Sequence, residues 1–395
     1  MIITSIADLR SLARRRVPRA LFHYADGGSY DEVTLRRNRR DLEAISFRQR
    51  VAVDVSRQTL GTTVVGQPLA MPLLIAPTGL AGFYWRDGEI VGARAAQGKG
   101  VGFCLSTMSI CSLEEVSAAV TSPIWFQLYL MRDRGFCADL IARAQQANCA
   151  ALVLTLDLQV QGLRRKELRY GLSIPPRLTL GNMLDVARKP GWARQVLLGK
   201  RHTFGNLAGR LPASQGLTTL AQWIATQFDP AVTWQDVEWV RRKWAGKLIL
   251  KGILDPHDAR RASEIGADAI IVSNHGGRQL DGAPATISVL PRIAEALQGN
   301  CELLFDGGVQ SGQDVLRALA LGARACLIGK AFIYALAALG GPGVSLALDI
   351  IRRELAVTMA LTGCTDVQRI DPAVLQDGGM LAPSHPATVA REQDQ

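Results

Sequence analysis

The stretch IIVSNHGGRQLDG, residues 270–282, changes from apolar to polar within a few positions. Its apolar start is typical of a buried strand, and that strand runs directly into Ser273, His275 and Arg278. An imidazole has an ordinary pKa near ~6.5, which suits a general base at neutral pH. A single histidine after a strand can equally be a structural residue. His275 is therefore a candidate base that needs partners elsewhere in the chain.

Glycine-rich segments after two other apolar runs could hold a phosphate. DGGVQSGQ (306–313) and IGKA (328–331) offer backbone N–H groups together with the ammonium of Lys330. A DGG sequence is also a common tight turn. The phosphate interpretation predicts a phosphorylated cofactor.

Further polar residues at the ends of apolar runs suit the ring of such a cofactor. Ser106, Gln127 and Thr155 offer neutral donors and acceptors, as the edge of a flavin requires. Lys251 would place a positive charge where a reduced flavin accumulates negative charge. A lone lysine is more often solvated or salt-bridged, so this interpretation depends on the other residues lying nearby.

The remaining charged residues indicate the substrate. Asp157 ends the run ALVLTLD (151–157), and its carboxylate could pair with the His275 imidazolium. Arg164 and Arg278 can both approach a small carboxylate, which a guanidinium binds through two parallel hydrogen bonds. Deprotonation of a hydroxyl beside a flavin, with a carboxylate held next to it, is the chemistry of 2-hydroxy acid oxidation.

These residues can meet only if the apolar runs end at one place. Eight short runs alternate with amphipathic helical patterns, and they lie at 73–79, 103–107, 124–130, 151–157, 248–253, 269–276, 303–309 and 326–332. Their continuous apolar character indicates parallel strands covered by helices, which predicts an α/β fold of the (β/α)8 TIM-barrel type. An open doubly wound sheet is the alternative. In a barrel, functional side chains lie at the carboxyl ends of the strands.

Composition limits the class of protein. The chain has 395 residues, 48% hydrophobic and 20% charged, so it can bury a large core. Its seven cysteines form no CxxC pair and predict neither a disulfide framework nor a metal site. The net charge of +10 suits anionic partners. The start, MIITSIADLRSLARRR, has no apolar core of a signal peptide, and we expect a cytoplasmic protein or one attached to the cytoplasmic side of the inner membrane.

Four motifs together resemble a known family. SNHGGRQLDG, LLFDGGVQSG, WFQLY and FHYADGGSYDEVTLRRN are similar to motifs of the FMN-dependent L-2-hydroxy acid dehydrogenases and oxidases. The resemblance covers about residues 2–375, and we expect one barrel domain over 1–375 followed by a mobile tail at 376–395. It implies a small 2-hydroxy carboxylate as substrate, a quinone or other carrier as electron acceptor, and a homo-oligomer, a tetramer.

The resemblance also implies roles for individual residues. His275 would be the base and Asp157 its partner, with the substrate held by Tyr24, Tyr129, Arg164 and Arg278. FMN would be held by Pro77, Thr78, Gly79, Ser106, Gln127, Thr155, Lys251, Ser273, Asp306, Gly307, Gly308, Val309, Gln310, Gly329 and Lys330.

Two positions depart from the family pattern. Gln310 and Lys330 stand where the family usually has arginine, so the expected phosphate site loses one charge and one planar guanidinium. We expect weaker FMN binding than in related proteins unless another cation compensates. Arg317 and Arg324 are the candidates that the sequence offers.

Other segments bear on acceptor and substrate. Gly79 follows the dehydrogenase members of the family, which favours a carrier over oxygen. KPGWARQ, FGNLAG and FDPAVTWQDVEWVR resemble the bacterial L-lactate dehydrogenases, whereas APTGLAGFYW and IPPRLTL resemble the mandelate dehydrogenases. Met108 is flexible enough to admit either a methyl group or a ring. L-lactate is the first expectation and L-mandelate the alternative.

A long insertion interrupts the barrel pattern after the fourth strand, at about residues 170–235. Its part at 177–215 is basic and amphipathic, with one acid, Asp185, between 177 and 210. The seven Lys or Arg residues of that stretch are Arg177, Arg188, Lys189, Arg194, Lys200, Arg201 and Arg210. Such a segment fits the surface of an anionic membrane. A lid or a subunit contact packed on the barrel is the alternative.

Two other functions remain open at this point. An FMN barrel with different chemistry, such as isomerisation, would not need Tyr24, Tyr129 and Arg164 around a carboxylate. A nucleic-acid-binding protein is suggested only by the net charge of +10, and the sequence has no motif of that class. We therefore expect no nucleic-acid partner.

Overall fold

The computed structural model describes residues 2–171, 179–197, 199, 201, 203–207 and 226–376. Eight of its strands form a closed parallel barrel, in which the last strand pairs with the first. These strands are β3 (Leu73–Ile75), β4 (Gly102–Ser106), β5 (Trp125–Tyr129), β6 (Ala151–Thr155), β7 (Lys247–Ile253), β8 (Ala269–Val272), β9 (Glu302–Asp306) and β10 (Ala325–Ile328). Each coincides with one of the eight predicted runs. The predicted TIM barrel is therefore confirmed, and the open sheet is wrong.

A small hairpin closes the amino end of the barrel. Its strands are β1 (Thr62–Val64) and β2 (Gln67–Leu69), paired antiparallel. Val64 and Leu69 pack into the same buried cluster as the side chains inside the barrel, and Trp125 Nε1 donates to Gln67 Oε1 at 2.8 Å. Because this end is filled, the opposite end is the one left for a ligand. We call the carboxyl ends of the barrel strands, with the loops that follow them, the rim.

The helices cover the outside of the barrel and bury a second, larger apolar cluster. Among the described residues they are α1 (Ile6–Arg16), α2 (Arg19–Asp26), α3 (Val33–Ala44), α4 (Ala81–Tyr84), α5 (Gly88–Gly98), α6 (Leu113–Ala118), α7 (Arg134–Gln146), α8 (Arg165–Arg169), α9 (Leu180–Ala187), α10 (Pro190–Leu197), α11 (Trp234–Lys243), α12 (Pro256–Glu264), α13 (Thr286–Leu297), α14 (Gly312–Ala320) and α15 (Lys330–Leu361). Single-turn 3-10 helices lie at Gly205–Leu207, Val367–Arg369 and Pro372–Val374.

Three helices that follow barrel strands begin at a side-chain cap. The side chains of Ser112, Asp255 and Ser311 each accept a hydrogen bond from a backbone N–H in the first turn of α6, α12 and α14. Each helix therefore starts just after the loop that leaves a barrel strand, which fixes the length of that loop.

Helix α15 is long and apolar enough to cross a membrane, but 72% of its most apolar window is buried in the protein. It packs on α1, α5 and α14, and its backbone breaks at Gly340, where φ is +64°. A Cβ at Gly340 would lie 2.4 Å from the Trp85 ring, so only glycine fits there. These contacts make α15 a core helix of the barrel.

The insertion lies between β6 and β7, as predicted. Its helix α10 packs on the protein, because Val196 is buried and Trp192 Nε1 donates to the Phe83 carbonyl at 2.7 Å. Its helix α9 has no buried residue, and Leu180, the first residue of that helix, is 80% exposed. Arg177, Lys200 and Arg210 of the basic segment, and the predicted tail beyond Gln376, lie outside the described residues.

Candidate active site

A cavity of about 390 Å³ lies at the rim. Most predicted site residues line it, namely Tyr24, Pro77, Thr78, Gly79, Ser106, Tyr129, Arg164, Lys251, His275, Arg278, Asp306, Gly308, Val309, Gln310, Gly329 and Lys330. The remaining predicted residues, Gln127, Thr155, Asp157, Ser273 and Gly307, do not line its wall. Among these, Asp157, Gln127 and Ser273 are hydrogen-bonded to wall residues from behind. The barrel therefore brings residues from all eight strand ends to one volume.

The predicted pair of His275 and Asp157 forms. His275 Nδ1 lies 2.9 Å from Asp157 Oδ1, and the imidazole is 19% exposed. Burial, together with the charges of Lys251 and Arg164, holds the pKa of His275 below its ordinary value, although Asp157 acts in the opposite direction. A neutral imidazole whose Nδ1–H donates to Asp157 has its lone pair on Nε2. Nε2 is therefore the basic atom of the pair.

Lys251 is held in a buried cluster at the ends of β7, β8 and β9. Its Nζ donates to Ser273 Oγ at 2.8 Å and lies 3.0 Å from Asp306 Oδ2. Burial alone would lower the pKa of Lys251, but Asp306 and Asp157 hold it above its ordinary value. Lys251 therefore stays protonated at the cavity wall, with Asp306 as its ion-pair partner.

Arg164 and Arg278 lie side by side and share one carboxylate that the sequence reasoning missed. Arg164 Nη1 lies 3.1 Å and Arg278 Nη2 3.3 Å from Glu167 Oε1. Arg278 also lies over the Tyr24 ring, 4.7 Å from its centroid. The spacing of Arg164 and Glu167, three residues apart at the start of α8, was the available signal. Two guanidiniums and one carboxylate leave a net positive charge for a carboxylate ligand.

Unpartnered polar atoms test whether the site fits a flavin. Ser106 Oγ donates to Gln127 Oε1 at 3.1 Å. Gln127 Nε2 and Thr155 Oγ1 are buried and have no hydrogen-bond partner within the described part of the chain. A buried donor or acceptor without a partner costs free energy, which a polar ligand bound beside it would offset. These groups fit the polar edge of a flavin ring.

The loop after β9 has a backbone that only glycine adopts easily. Gly307 and Gly308 have φ of +126° and +91°, and a Cβ at Gly307 would lie 2.3 Å from Thr286 Oγ1. The loop is held from behind by Asp314, whose Oδ2 accepts from Gln310 N at 2.9 Å. The two glycines leave space for a phosphate to approach the backbone of this loop.

The arginine that lines the cavity near the loop after β9 is neither of the two candidates suggested by the sequence, Arg317 and Arg324. Arg317 donates to the Ile45 carbonyl, and Arg324 donates to the Thr63 carbonyl. Neither residue lines the cavity. Arg39, from α3, does line it and was missed. Nothing in the local sequence of α3 shows that it packs against the loop after β9.

Aromatic side chains from the insertion complete the wall. Phe204 and Phe228 line the cavity, and the Phe228 ring packs edge-on against Tyr129 with centroids 5.5 Å apart. The insertion therefore contributes to the site. Phe204 lies within the basic segment 177–215 and packs against the core, whereas Phe228 lies beyond that segment.

Two proteins with similar sequences are named L-lactate dehydrogenase. The chain is 52% identical over 376 residues to an L-lactate dehydrogenase of a Caulobacter species, covering 95% of this chain and 99% of that protein. It is 46% identical over 385 residues to an L-lactate dehydrogenase of Acinetobacter baylyi, covering 97% and 100%.

Solved structures resemble the fold over nearly its whole length. The monotopic membrane protein (S)-mandelate dehydrogenase superposes with a TM-score of 0.90 at 35% identity, covering 95% of this chain and 100% of that one. A mandelate oxidase superposes with a TM-score of 0.81 at 37% identity, covering 95% and 98%. The family model of the FMN-dependent dehydrogenases matches residues 13–377. A match of that length, with relatives 46% and 52% identical over nearly the whole chain, shows that the chain belongs to the FMN-dependent dehydrogenase family.

Proposed function

We propose that this chain oxidises an L-2-hydroxy acid, L-lactate in the first place, to the 2-keto acid, pyruvate. The observation that carries the proposal is one cavity lined by His275, Arg164 and Arg278, with Asp157 bonded to the imidazole from behind. It places a base and a carboxylate site within reach of one small molecule. The choice of lactate rests on the relatives named L-lactate dehydrogenase.

His275 would take the proton. Its Nε2 accepts the proton of the substrate hydroxyl, and the imidazolium so formed is stabilised by the Asp157 carboxylate 2.9 Å from Nδ1. In the resting state the lowered pKa of His275 keeps the imidazole neutral near pH 7 and therefore able to accept. Asp157 acts through His275 as a positioning residue.

Arg164 and Arg278 would hold the substrate carboxylate, with Tyr24 and Tyr129 beside it. Carboxylate binding orients the hydroxyl towards His275 and fixes the hydrogen on the same carbon relative to the cofactor. Glu167 keeps the two guanidiniums together before the substrate arrives, so that their mutual repulsion does not separate them.

FMN, when bound, supplies the acceptor for the hydrogen and electron pair of the substrate C–H bond. We propose that Ser106, Gln127 and Thr155 bind the polar edge of its ring, and that Lys251 and Ser273 lie beside the part that becomes negative. Pro77, Thr78, Gly79, Asp306, Gly307, Gly308, Val309, Gln310, Gly329 and Lys330 complete the proposed binding set.

L-mandelate is the alternative substrate. The structures named mandelate dehydrogenase and mandelate oxidase support it, as do the aromatic side chains of Phe204 and Phe228 in the cavity wall. Against it stands the higher identity to the proteins named L-lactate dehydrogenase.

We propose a quinone or another carrier as the electron acceptor and a homotetramer as the assembly. Gly79 supports a carrier over oxygen. A Cβ there would lie 3.1 Å from the Met108 carbonyl oxygen, so a larger residue would narrow the cavity beside Met108. Light scattering of the purified protein would test the assembly.

We propose a peripheral contact with the cytoplasmic side of the inner membrane, made by helix α9 of the insertion. Leu180, Met183 and Leu184 are 80%, 60% and 59% exposed. A surface pocket where α9 meets α1 and α2 is lined by five basic residues and one acid, Asp185, which pairs with Arg19. The basic residues are Arg14, Arg15, Arg19, Arg188 and Lys189. Apolar residues next to cations suit an anionic bilayer surface. The relative named as a monotopic membrane protein supports this placement.

A direct test uses the purified holoprotein without oxygen. L-lactate is expected to bleach the flavin absorbance with one pyruvate formed per flavin, and D-lactate is not. L-lactamide, which replaces the carboxylate by a neutral amide of the same shape, should react far more slowly because it cannot pair with the two arginines. Equal bleaching by L-lactate and L-lactamide would contradict the proposed carboxylate site.

A further inference from the structure

Two cations line the cavity near the glycine loop, Lys330 and Arg39, and they are placed differently. Lys330 Nζ donates to the carbonyl oxygens of Asp26 at 2.7 Å and Gly27 at 2.9 Å. Two of its three N–H groups are thereby bound to the end of helix α2. Burial and the neighbouring Arg278 lower the pKa of Lys330 to about 7. Lys330 therefore has one N–H group left for a phosphate.

Position 310, where the related family pattern has arginine, carries only the neutral amide of Gln310. The backbone N–H of Gln310 is used by Asp314. The loop could therefore offer backbone N–H groups to a bound phosphate, but it has no guanidinium of its own. A phosphate dianion in a partly buried site needs a nearby positive charge.

Arg39 provides such a charge from a distant part of the sequence. Its Nη1 donates to the Gly308 carbonyl and to Asp314 Oδ2, both at 2.6 Å, while Nη2 donates to Glu43 at 2.8 Å. Its side chain is 27% exposed and lines the cavity. The guanidinium is therefore fastened to the same loop that would hold the phosphate.

The charges around Arg39 do not cancel at the cavity. Asp314 is fully buried and pairs with two guanidiniums, Arg39 and Arg317. Glu43, the other acid near Arg39, is 63% exposed, so solvent screens its charge. The buried part of this cluster keeps one net positive charge, and Arg39 is its member on the cavity wall.

We propose that Arg39 binds the phosphate of FMN and takes the place left by the neutral Gln310. The proposal rests on the cofactor placement proposed above. It makes Arg39 an affinity residue for the phosphorylated end of the cofactor, with no part in proton transfer.

The test compares FMN with riboflavin, which has the same ring and no phosphate. Flavin is removed from the protein, and the binding of each compound is followed by quenching of flavin fluorescence. Arg39→Gln is expected to weaken FMN binding by about 10- to 100-fold, the worth of a charged hydrogen bond, and to leave riboflavin binding unchanged. Arg40→Gln, on the exposed side of the same helix, is the matched control and should change neither affinity.

A second variant separates binding from folding. Arg39→Gln combined with Gln310→Arg returns a guanidinium to the loop and should restore most of the FMN affinity. Equal weakening of FMN and riboflavin, or no weakening of FMN, would overturn the proposal while the flavin site stands. Parent protein that binds neither compound would overturn the cofactor placement as well. Restored FMN affinity in the double variant would support the phosphate contact.

Discussion

The side chains of the rim and those of helix α9 in the insertion differ in burial and in charge pairing. At the rim, charged groups are largely buried and several are paired with an opposite charge, as in His275–Asp157 and Lys251–Asp306. Helix α9 has no buried residue, and its leucines face outwards. Buried, paired charges hold a fixed geometry, which chemistry requires. Exposed apolar groups next to cations instead suit contact with another surface.

The contrast predicts that changes at the rim alter the reaction and leave membrane binding alone, with the opposite outcome for α9. The largest effect is expected at His275. His275→Gln should keep FMN bound but slow flavin reduction by L-lactate at least ~10² to 10⁴-fold, because the general base is lost. Stopped-flow absorbance measures the rate, and His257→Gln, an exposed histidine on α12, is the control. Near-normal reduction in His275→Gln would remove that residue from its proposed role.

The second largest effect on the reaction is expected for Arg278→Lys. The ammonium keeps the charge but loses the planar pair of donors, and the contacts with Glu167 and the Tyr24 ring are lost with it. We expect kcat/KM for L-lactate to fall roughly 10- to 100-fold, with both KM and the reduction rate affected. Arg292→Lys, an exposed arginine of α13, should have no effect. Unchanged kinetics of Arg278→Lys would mean that this residue does not touch the carboxylate.

Changes in helix α9 should weaken vesicle binding and leave the reaction unchanged. Replacing Leu180, Met183 and Leu184 by serine is expected to weaken binding to anionic vesicles by at least about tenfold, since each leucine contributes apolar area to the contact. Flavin reduction by L-lactate should stay at the parent rate. Replacing Val51, Val357 and Leu361, which are exposed elsewhere, is the matched control. Vesicle binding that ignores the α9 change, measured by co-sedimentation at low salt, would contradict the membrane contact.

The smallest effect concerns pH. The base must be unprotonated, and burial holds the pKa of His275 below its ordinary value of 6.5. The reduction rate should therefore be level near neutrality and fall as the pH drops below 6.5 through that pKa. Asp157 is the group that raises this pKa, so Asp157→Asn should move the acid limb to lower pH, besides lowering the rate. An acid limb that does not move would show that Asp157 does not act on His275.

The sequence allows most of the rim to be predicted because a repeated unit determines where strands end. Each apolar run points to the carboxyl end of a strand, and in a closed barrel all these ends meet, so His275 and Asp157 could be paired although 118 positions separate them. Arg39 could not be found in this way. It reaches the loop after β9 from α3, through a packing contact that no local pattern encodes.

The insertion is a second region where the sequence alone does not predict the packing. Its basic and apolar composition is visible in the sequence, but composition does not show which helix packs on the barrel. Trp192 of α10 bonds to the Phe83 carbonyl, whereas Leu180 of α9 faces outwards. Arg201, one of the predicted basic residues, pairs with Asp87 and Glu115 of the barrel and so does not face a membrane freely. Only the packing in the structure shows which of these residues contact the barrel and which face outwards.

Oxidation of L-lactate at the rim can be compared with oxidation of L-mandelate in one experiment. The parent holoprotein is mixed without oxygen with L-lactate and, separately, with L-mandelate, and kcat/KM is compared from flavin bleaching and keto acid formed. We predict complete bleaching by L-lactate with the higher kcat/KM of the two. A higher value for L-mandelate would contradict the choice of substrate, and no bleaching by either acid would contradict the proposed function.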